Sequence, residues 1–291
     1  MVIIKIMGGL GNQLFQYALA EKMKSLGYEV KLDISYFSEN IEGDTRRICY
    51  ADLFPQLNMK YASYKEIISC KEQSLPQRIK RKICRGGSQV YMEENCGFQQ
   101  DIFQYKKRDN NYLIGYWQSE KYFKNIKETV QEEFSLDFLL LSDRNAELKI
   151  HLEEEESVAV HIRGGDYLKK ENNKIWGGIC DKEYYRRSID YMQEHLKRPV
   201  FYVFTNDMDH SKRILELERI PHIFVDWNSE EEGYIDLYLM SLCKHQIIAN
   251  SSFSWWGAWL NKNIEKIVLV PDRWRNDEND EDIYCSGWLK I

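Results

Sequence analysis

Residues 2 to 33 read VIIKIMGGLGNQLFQYALAEKMKSLGYEVKLD, and this stretch decides the fold. Val2–Met7 is apolar enough to form a buried strand, and a glycine-rich loop follows it. From Leu14 to Leu26 the apolar residues recur at the spacing of one helical face, and Gly27 can end that helix. Tyr28–Leu32 is the next predicted strand. A strand, a glycine loop, a helix and a strand in this order open a Rossmann-like unit.

The second half of the chain alternates strands and helices more regularly. Asp181 can cap a helix that runs to Leu196, and five apolar runs are predicted strands: Ser157–Ile162, Val200–Phe204, His222–Val225, Gln246–Ala249 and Ile267–Val270. This alternation predicts a parallel sheet with helices on both faces. We therefore expect an α/β protein of two Rossmann-like domains, residues 1–150 and 151–291. The polar stretch Asp143–Glu156 is the candidate hinge between them.

Composition excludes several classes of protein. The 291 residues carry a net charge of −6, which argues against a dedicated nucleic-acid-binding protein. No stretch approaches the roughly 20 apolar residues of a membrane span, and the N-terminus does not resemble a signal peptide, so we expect a cytoplasmic protein. Seven cysteines without a CxxC spacing predict reduced thiols rather than a zinc site. A basic run from Arg78 to Arg85 fits a solvated helix face or, alternatively, peripheral contact with an anionic membrane.

The glycine loop of residues 8 to 13 is the first candidate site. Gly11 lets the backbone approach a ligand closely, while Asn12 and Gln13 offer amides to a hydroxyl-rich ligand. Asp33 follows Gly11 by 33 − 11 = 22 residues, close to the spacing of a dinucleotide-binding fingerprint. A nicotinamide-dependent oxidoreductase using Gly9, Gly11 and Asp33 is therefore an alternative, although the third glycine of that fingerprint is missing.

A second candidate site, HIRGGDY, follows the strand that ends at Ile162. Arg163 supplies a planar fork of donors that matches a phosphate, and His161 lies two residues before it. Asp166 can orient Arg163 or accept a proton from an incoming hydroxyl. The two glycines inside this cluster favour a functional site over a structural ion pair.

The third candidate site is the loop FTNDMD, residues 204 to 209. Asp207 and Asp209 have the DxD spacing by which some glycosyltransferases hold a divalent metal. A helix cap by Asp209 is the simpler expectation, with Asp207 accepting a hydrogen bond from a base or a ribose. We therefore predict no metal site here.

The fourth candidate site, NSSFSWWGAWLN, begins at Asn250. Ser251 and Ser252 precede a helix and can present hydroxyls together with backbone N–H groups to an anion, with Phe253 beside them. The tryptophans at 255, 256 and 259 repeat at helical spacing, which predicts core packing. The serines, by contrast, are candidate ligand contacts.

Four motifs together resemble the α-1,2-fucosyltransferases of glycosyltransferase family 11, bacterial type: GGLGNQLFQYA, HIRGGDY, YVFTND and NSSFSWWGAWLN. They occur in this order from residue 8 to residue 261 and so span nearly the whole chain. One position departs from the family pattern, HxRRxD: Gly164 stands where a second Arg is usual, which removes one cation near the donor.

The resemblance implies a GT-B-like fold, two facing Rossmann-like domains with GDP-fucose bound in the C-terminal one. It implies inverting transfer of L-fucose from GDP-β-L-fucose to the 2-hydroxyl of a terminal galactose, without a required metal or other cofactor. Arg163 and His161 would neutralise the departing diphosphate, and Asp207 would read guanine or ribose. The remaining implied contacts are Ser251, Ser252 and Phe253 around the diphosphate and base, Gly11, Asn12 and Gln13 near the fucose and acceptor, and Asp166 as a candidate base.

One further alternative is a glycan-binding protein without catalysis. The chain contains 8 Trp and 19 Tyr, whose flat faces suit stacking on sugars, with Phe253, Tyr167 and Trp176 as stacking candidates. Such a protein would bind a glycan with no need for a nucleotide.

Overall fold

The computed structural model describes residues 1–38, 48–71, 89–104, 109–164, 170–215, 217, 220–278 and 280–291. Its backbone divides into two units, Met1–Phe134 and Ser135–Ile291. Each unit contains its own parallel sheet. The predicted α/β class, with Rossmann-like units of GT-B-like type, is confirmed.

The first unit is built on four parallel strands in the order β2-β1-β4-β3. The strands are β1 (Val2–Lys5), β2 (Val30–Asp33), β3 (Gln89–Met92) and β4 (Asn111–Ile114), and the helices are α1 (Leu10–Ser25), α2 (Tyr64–Lys71) and α3 (Lys127–Glu133). Gly27 has φ 80°, a left-handed conformation that suits glycine and ends α1 as predicted. Helix α1 begins at Leu10, four residues before the predicted start, because the glycine loop is shorter than its sequence indicates.

The second unit is built on six parallel strands in the order β10-β9-β8-β5-β6-β7. The strands are β5 (Glu156–Ile162), β6 (Pro199–Thr205), β7 (His222–Val225), β8 (His245–Ile247), β9 (Val268–Val270) and β10 (Leu289–Lys290). The helices are α4 (Asp143–Glu154), α5 (Lys170–Trp176), α6 (Lys182–His195), α7 (Met208–Ile214), α8 (Gly233–Leu242) and α9 (Ser252–Leu260). Numbered from β5, this order is the 3-2-1-4-5-6 order of a Rossmann fold.

Strand β5 shows how this sheet is covered on both faces. Val158, Val160 and Ile162 pack with residues of α6, whereas Ala159 packs with residues of α4 and α8. Successive side chains of a strand point to opposite faces, so both faces of β5 are buried. The same alternation places His161 on the face of Ala159.

The expected boundary near residue 150 and the expected hinge Asp143–Glu156 differ from the structure. Residues 143 to 154 form helix α4, which lies inside the second unit and buries Leu148 and Leu152 against α8. Ser142 begins α4 by accepting a hydrogen bond from the backbone N–H of Asn145 at 3.4 Å. The stretch is polar because most of its surface is solvated, and its two buried leucines are enough to dock it.

Candidate active site

The strand order of the second unit places a crevice at the carboxyl ends of β5 and β8. The chain extends the sheet from β5 through β6 and β7, and then crosses to β8 on the other side of β5. Ligands of open α/β sheets bind at this topological switch point. Two of the predicted motifs lie at the ends of these strands. HIRG begins with the last two residues of β5, and NSSF begins at Asn250, shortly after β8.

His161 lies at the end of β5 with 4% of its surface exposed. Its ring centroid is 5.4 Å from that of Phe253, at an interplanar angle of 38°, so the two motifs meet in space. Burial, together with the charge of Arg163, lowers the pKa of His161 to about 3. The imidazole is therefore neutral at pH 7, and its Nδ1 has no hydrogen-bond partner among the described residues.

Arg163 follows β5 directly and is partly buried. The next residue, Gly164, donates its backbone N–H to the Oδ1 of Asn206 at 2.9 Å. Because Asn206 follows β6, this bond ties the loops after two neighbouring strands together and fixes the backbone beside Arg163. Sequence reasoning assigned no role to Asn206, although it lies inside the predicted motif after β6.

Asp207 begins helix α7. Its Oδ1 accepts a hydrogen bond from the backbone N–H of His210 at 2.9 Å, and its own N–H donates to the Oγ1 of Thr205 at 3.0 Å. The predicted cap by Asp209 is therefore wrong: Asp209 lies in the first turn of α7 and is exposed. A carboxylate caps a helix from the position before its first turn, and here Asp207 occupies that position.

Ser251 precedes helix α9 but does not cap it. Its side chain makes no capping bond, and no described residue hydrogen-bonds to its hydroxyl, although the residue is 5% exposed. A serine at this position normally accepts a backbone N–H of the first turn. The hydroxyl therefore makes no bond that a ligand would have to displace, and Ser252 and Phe253 lie in the first turn of α9.

The side chains on either side of these serines serve the fold. Asn250 donates its amide to the backbone oxygens of Trp176 and Trp274, each at 3.1 Å. The tryptophans of α9 are 0 to 2% exposed, which confirms the prediction of core packing for positions 255, 256 and 259. The rigid loop and helix therefore hold the serines in place.

In the first unit, the glycine loop follows β1. Gly8 has φ 81°, and a Cβ there would lie 2.6 Å from the Nδ2 of Asn12. The Oδ1 of Asn12 accepts a hydrogen bond from the Nε2 of Gln118 at 2.7 Å. Gly9 is exposed, and an added Cβ there meets no atom of the described residues within 4 Å. Gly11 is buried in the first turn of α1.

Gln13 is fully buried, and hydrogen bonds within the protein occupy its amide. Its Nε2 donates to the backbone oxygens of Gly8 and Ile48 at 2.9 and 2.8 Å. Its Oε1 accepts from the hydroxyl of Tyr17 at 3.0 Å and from the N–H of Tyr50 at 2.9 Å. Two donors and two acceptor sites are the capacity of an amide, so Gln13 supports the loop instead of contacting a donor.

The amino-acid sequence matches the family described as glycosyl transferase family 11 over residues 1–291. The chain belongs to glycosyltransferase family 11. The alpha-1,2-colitosyltransferase of Escherichia coli is 33% identical to it over 305 residues, covering 100% of this chain and 98% of that protein. The O-antigen biosynthesis glycosyltransferase WbnK of Escherichia coli is 30% identical over 306 residues, covering 98% of each chain. The predicted family is confirmed, and the chain is a glycosyltransferase.

Two further proteins are similar to the chain at lower identity. The galactoside alpha-(1,2)-fucosyltransferase 1 of Homo sapiens is 27% identical over 154 residues, which are 51% of this chain and 42% of that protein. The solved structure of the NodZ alpha-1,6-fucosyltransferase soaked with GDP-fucose covers 89% of this chain and 92% of its own, with 15% identity and a TM-score of 0.45.

For a family 11 enzyme, the departure at Gly164 has a structural reason in this chain. A Cβ at Gly164 would lie 2.6 Å from the Cβ of Asp207, closer than two such atoms can approach. A second Arg at this position would displace the residue that caps α7. The loops after β5 and β6 therefore pack closely here because position 164 has no side chain.

Asp236 is a site residue that sequence reasoning missed. It lies in α8, and its Oδ1 accepts a hydrogen bond from the Nδ2 of Asn228 at 2.6 Å. Burial raises its pKa to about 6 despite that bond. Helix α8 borders the crevice, because a Cβ at Gly233 would lie 3.9 Å from the ring of Phe253. A lone carboxylate in the apolar run GYIDLYLMSL was the signal that could have revealed it.

Asp33 does not have the environment that the nicotinamide alternative needs. The residue is 1% exposed, and its carboxylate accepts hydrogen bonds from the hydroxyl of Tyr112 and, at 2.9 Å, from the N–H of Ser35. Lys71 lies 3.9 Å away. A ribose would have to displace these partners, so Asp33 stabilises the end of β2.

Three predictions fall on residues outside the described part of the chain: Asp166 as a candidate base, Tyr167 as a stacking residue and the basic run from Arg78 to Arg85. Trp176 ends α5 and is partly buried. Among the helices that the structure describes, none has the length and apolar character needed to cross a membrane.

Proposed function

We propose that this family 11 enzyme transfers L-fucose from GDP-β-L-fucose to the 2-hydroxyl of a terminal galactose, with inversion to an α-linkage. The observation that carries the proposal is the crevice at the switch point of the second sheet. Three candidate donor contacts lie there: Arg163, the neutral His161 and Ser251, whose hydroxyl makes no capping bond. The β5–β8 pairing and the His161–Phe253 contact bring these strand ends together. A full-length match to the family supports the reaction type.

The second unit binds the donor in this proposal. As the bond between fucose and the diphosphate breaks, negative charge grows on the departing GDP, and preorganised donors stabilise it. Arg163 offers a fork of N–H donors to the β-phosphate. The hydroxyls of Ser251 and Ser252 and the N-terminus of the nine-residue helix α9 supply further donors from the other side of the switch point.

The guanine base fits the apolar and acidic part of the same crevice. Phe253 and His161 offer ring faces, and the neutral imidazole keeps one N–H donor and one acceptor nitrogen. Guanine carries N–H donors on one edge, and Asp236, on the helix whose Gly233 approaches Phe253, is a carboxylate that can accept them. Asp207 remains the candidate that reads the base or ribose as the family resemblance implies.

The first unit binds the acceptor in this proposal. Asn12, beside the open Gly9, offers an amide near the acceptor and the fucose. Asp166 is the proposed base for the attacking 2-hydroxyl. Because the transition state of such a transfer resembles an oxocarbenium ion, charge stabilisation at the diphosphate contributes more than proton removal.

Colitose is the second candidate donor sugar. A relative that covers the whole chain at 33% identity bears the name alpha-1,2-colitosyltransferase. Colitose is L-fucose without its 3-hydroxyl, so an enzyme that hydrogen-bonds this hydroxyl rejects colitose, whereas an apolar contact at C3 accepts both sugars. Comparing GDP-fucose with GDP-colitose therefore tests how this crevice contacts the 3-position of the sugar.

The test is a matrix of two donors and three acceptors. Purified protein is incubated with GDP-fucose or GDP-colitose and with lactose, N-acetyllactosamine or a Galβ1-3 disaccharide, and the product linkage is read by NMR. The proposal predicts a Fucα1-2Gal product and a higher kcat/KM for GDP-fucose. If the enzyme uses only GDP-colitose, the proposed donor GDP-fucose is wrong. If the sugar is attached elsewhere than at the 2-hydroxyl, the proposed linkage is wrong.

The same assay tests the proposal that no metal is required. We expect full turnover in EDTA, because Asp207 caps α7 and the positive groups of the crevice neutralise the diphosphate. Loss of turnover in EDTA with recovery in Mn²⁺ would contradict this expectation. Buffer with EDTA and excess Mg²⁺ is the matched control.

A further inference from the structure

The turn that follows β4 has a strained backbone. Trp117 has φ 57°, a left-handed conformation that is a genuine outlier for a bulky residue. The residue is fully buried, and its indole N–H has no hydrogen-bond partner among the described residues. Strain of this kind persists where the surrounding structure enforces it, and it occurs preferentially at functional sites.

Glu93 enforces this conformation. Its Oε2 accepts the backbone N–H of Tyr116 at 2.6 Å, and its Oε1 accepts that of Trp117 at 3.0 Å. A Cβ at Gly115 would lie 2.6 Å from the Cβ of Glu93, so glycine is needed for the carboxylate to reach the turn. The Nε2 of Gln16 holds the same turn through the backbone oxygen of Gly115 at 3.0 Å.

This turn presents Tyr116 beside the glycine loop. Strand β1 lies between β2 and β4, so the loop with Gly9 lies between the segment after β2 and the turn after β4. Tyr116 is 41% exposed, and Gly9 is exposed too, with no atom of the described residues within 4 Å of an added Cβ. Tyr36 follows β2 on the other side and is close enough, with Glu93, to raise the pKa of the Tyr116 phenol beyond the effect of burial. Gln118 joins the turn to Asn12.

We infer that Tyr116 stacks on the terminal galactose ring of the acceptor above Gly9, and that Glu93 is the positioning residue that holds Tyr116 there. The inference rests on the proposed function, because it takes the acceptor to be a galactoside. Galactose has an axial 4-hydroxyl, which leaves one face of C3, C4 and C5 apolar and suited to an aromatic ring. The amides of Asn12 and Gln118 then meet the sugar hydroxyls at the edge of the ring.

The experiment separates the ring of Tyr116 from its hydroxyl. Tyr116→Ala removes the stacking face, and we expect the KM for the acceptor to rise about tenfold or more, with the KM for the donor and GDP binding unchanged. Tyr116→Phe keeps the ring and is the matched control, with a KM for the acceptor within about twofold of the wild type. An unchanged acceptor KM in Tyr116→Ala overturns the inference, and so does an equal loss in Tyr116→Phe.

Glu93→Gln tests the positioning role. Glutamine keeps the shape but replaces one acceptor oxygen with an amide that opposes a backbone N–H, so the turn loses one of its two bonds. We expect the acceptor KM to rise while kcat and the donor KM change little. Circular dichroism and the Tm show whether the variant is folded. A folded Glu93→Gln variant with a wild-type acceptor KM overturns the role of Glu93.

A failure of the proposed function gives a different result. If the wild type forms no product with any galactoside but releases GDP with another acceptor, the assigned acceptor is wrong for the enzyme as a whole. If the wild type forms the Fucα1-2Gal product and Tyr116→Ala forms it with the same acceptor KM, the stacking inference alone is wrong. Saturation-transfer NMR with methyl β-galactoside, without donor, checks acceptor binding directly.

Discussion

The loop after β1 and the loops at the switch point of the second sheet both carry polar residues at strand ends, yet they differ in how those residues are bonded. In the first loop, hydrogen bonds within the protein occupy the amide of Gln13. In the second region, the Nδ1 of His161 and the hydroxyl of Ser251 have no hydrogen-bond partner within the part of the chain that the structure describes. Similar motifs thus contain both scaffold and candidate ligand contacts, and hydrogen-bond saturation separates them.

The largest expected effect is that of Arg163→Ala. Removing one preorganised donor at the leaving diphosphate lowers kcat by about a hundredfold or more, while the Tm changes little because Arg163 lies on a loop. Steady-state kinetics and thermal unfolding measure the two quantities. Arg163→Lys is the control: it keeps the charge but not the fork, so it recovers part of the rate. Near-normal kcat in Arg163→Ala would remove Arg163 from the diphosphate site.

Gln13→Ala gives the opposite pattern. The substitution leaves buried backbone groups of the loop unpaired, and each unpaired group costs about 1–3 kcal/mol of unfolding free energy. We expect a clear loss of stability in chemical denaturation and an unchanged donor KM in the folded protein. Gln13→Glu keeps an acceptor oxygen but places a carboxylate oxygen against the backbone oxygens of Gly8 and Ile48 in a buried site, so it should lose at least as much stability as Gln13→Ala. A raised donor KM without lost stability would make Gln13 a ligand contact after all.

Donor affinity should depend on pH through Asp236. The pKa of Asp236 in the folded protein is about 6, above the usual value, because burial disfavours the charged form. Asp236 therefore lowers the free energy of unfolding as the pH rises from about 4 through 6. A guanine that donates to the carboxylate binds the ionised form, so GDP affinity should rise about tenfold between pH 5 and 7.5. His161, with a pKa near 3, does not titrate in this range.

Isothermal titration calorimetry with GDP measures this dependence, and Asp236→Asn is the matched variant. In that variant the affinity should be lower at pH 7.5, and its rise across the range should be smaller than in the wild type, because only the terminal phosphate of GDP, with a second pKa of about 6, still titrates. An unchanged pH profile in Asp236→Asn would assign the titration to another group and leave Asp236 without a role in base recognition.

The smallest effect is expected for Ser251→Ala. Because its hydroxyl makes no capping bond, we expect unchanged stability and a donor KM raised by about fivefold, the loss of one hydrogen bond. Ser142→Ala is the matched control, since Ser142 caps α4 through Asn145 at 3.4 Å. That control should lose about 1 kcal/mol of stability and keep the donor KM. An equal loss of stability in both variants, with the donor KM unchanged in each, would make the two serines equivalent caps.

The sequence predicts the second unit far better than the first. Every strand from β5 to β9 lies within about two residues of its predicted position, because most of these strands are buried on both faces and lie in largely apolar runs; β7, with His222 and Ile223 exposed, is the exception. The sequence does not predict strand β3, because Gln89–Met92 is short and half exposed at the edge of its sheet. The polar composition of α4 predicts a hinge, but tertiary packing, which the local sequence does not show, orders this stretch as a helix.

The candidate site also has features that the sequence predicts and features that it does not. The positions of Arg163, Ser251 and Phe253 at strand ends could be predicted from the motifs. The cap by Asp207, the saturation of Gln13 and the burial of Asp236 depend on partners from 3 to 37 residues away in the chain. The cap by Asp207 is local, yet Asp209 offered the same residue type two positions later, and no motif records the bonds from Gln13 to Tyr50 or from Asp236 to Asn228. The distinction between scaffold and ligand contact therefore depends on the folded structure.

The close approach of Gly164 and Asp207 also constrains how this chain can change over generations. An Arg introduced at 164 while Asp207 remains in place collides with its Cβ and frees the first turn of α7, so this single step weakens the protein before the new cation can bind anything. Only a glycine at 207, which has no Cβ, removes this contact before an Arg arrives at 164, and it does so at the expense of the cap. The order of the two substitutions therefore matters, and relatives that gained the second Arg should differ from this chain at both positions.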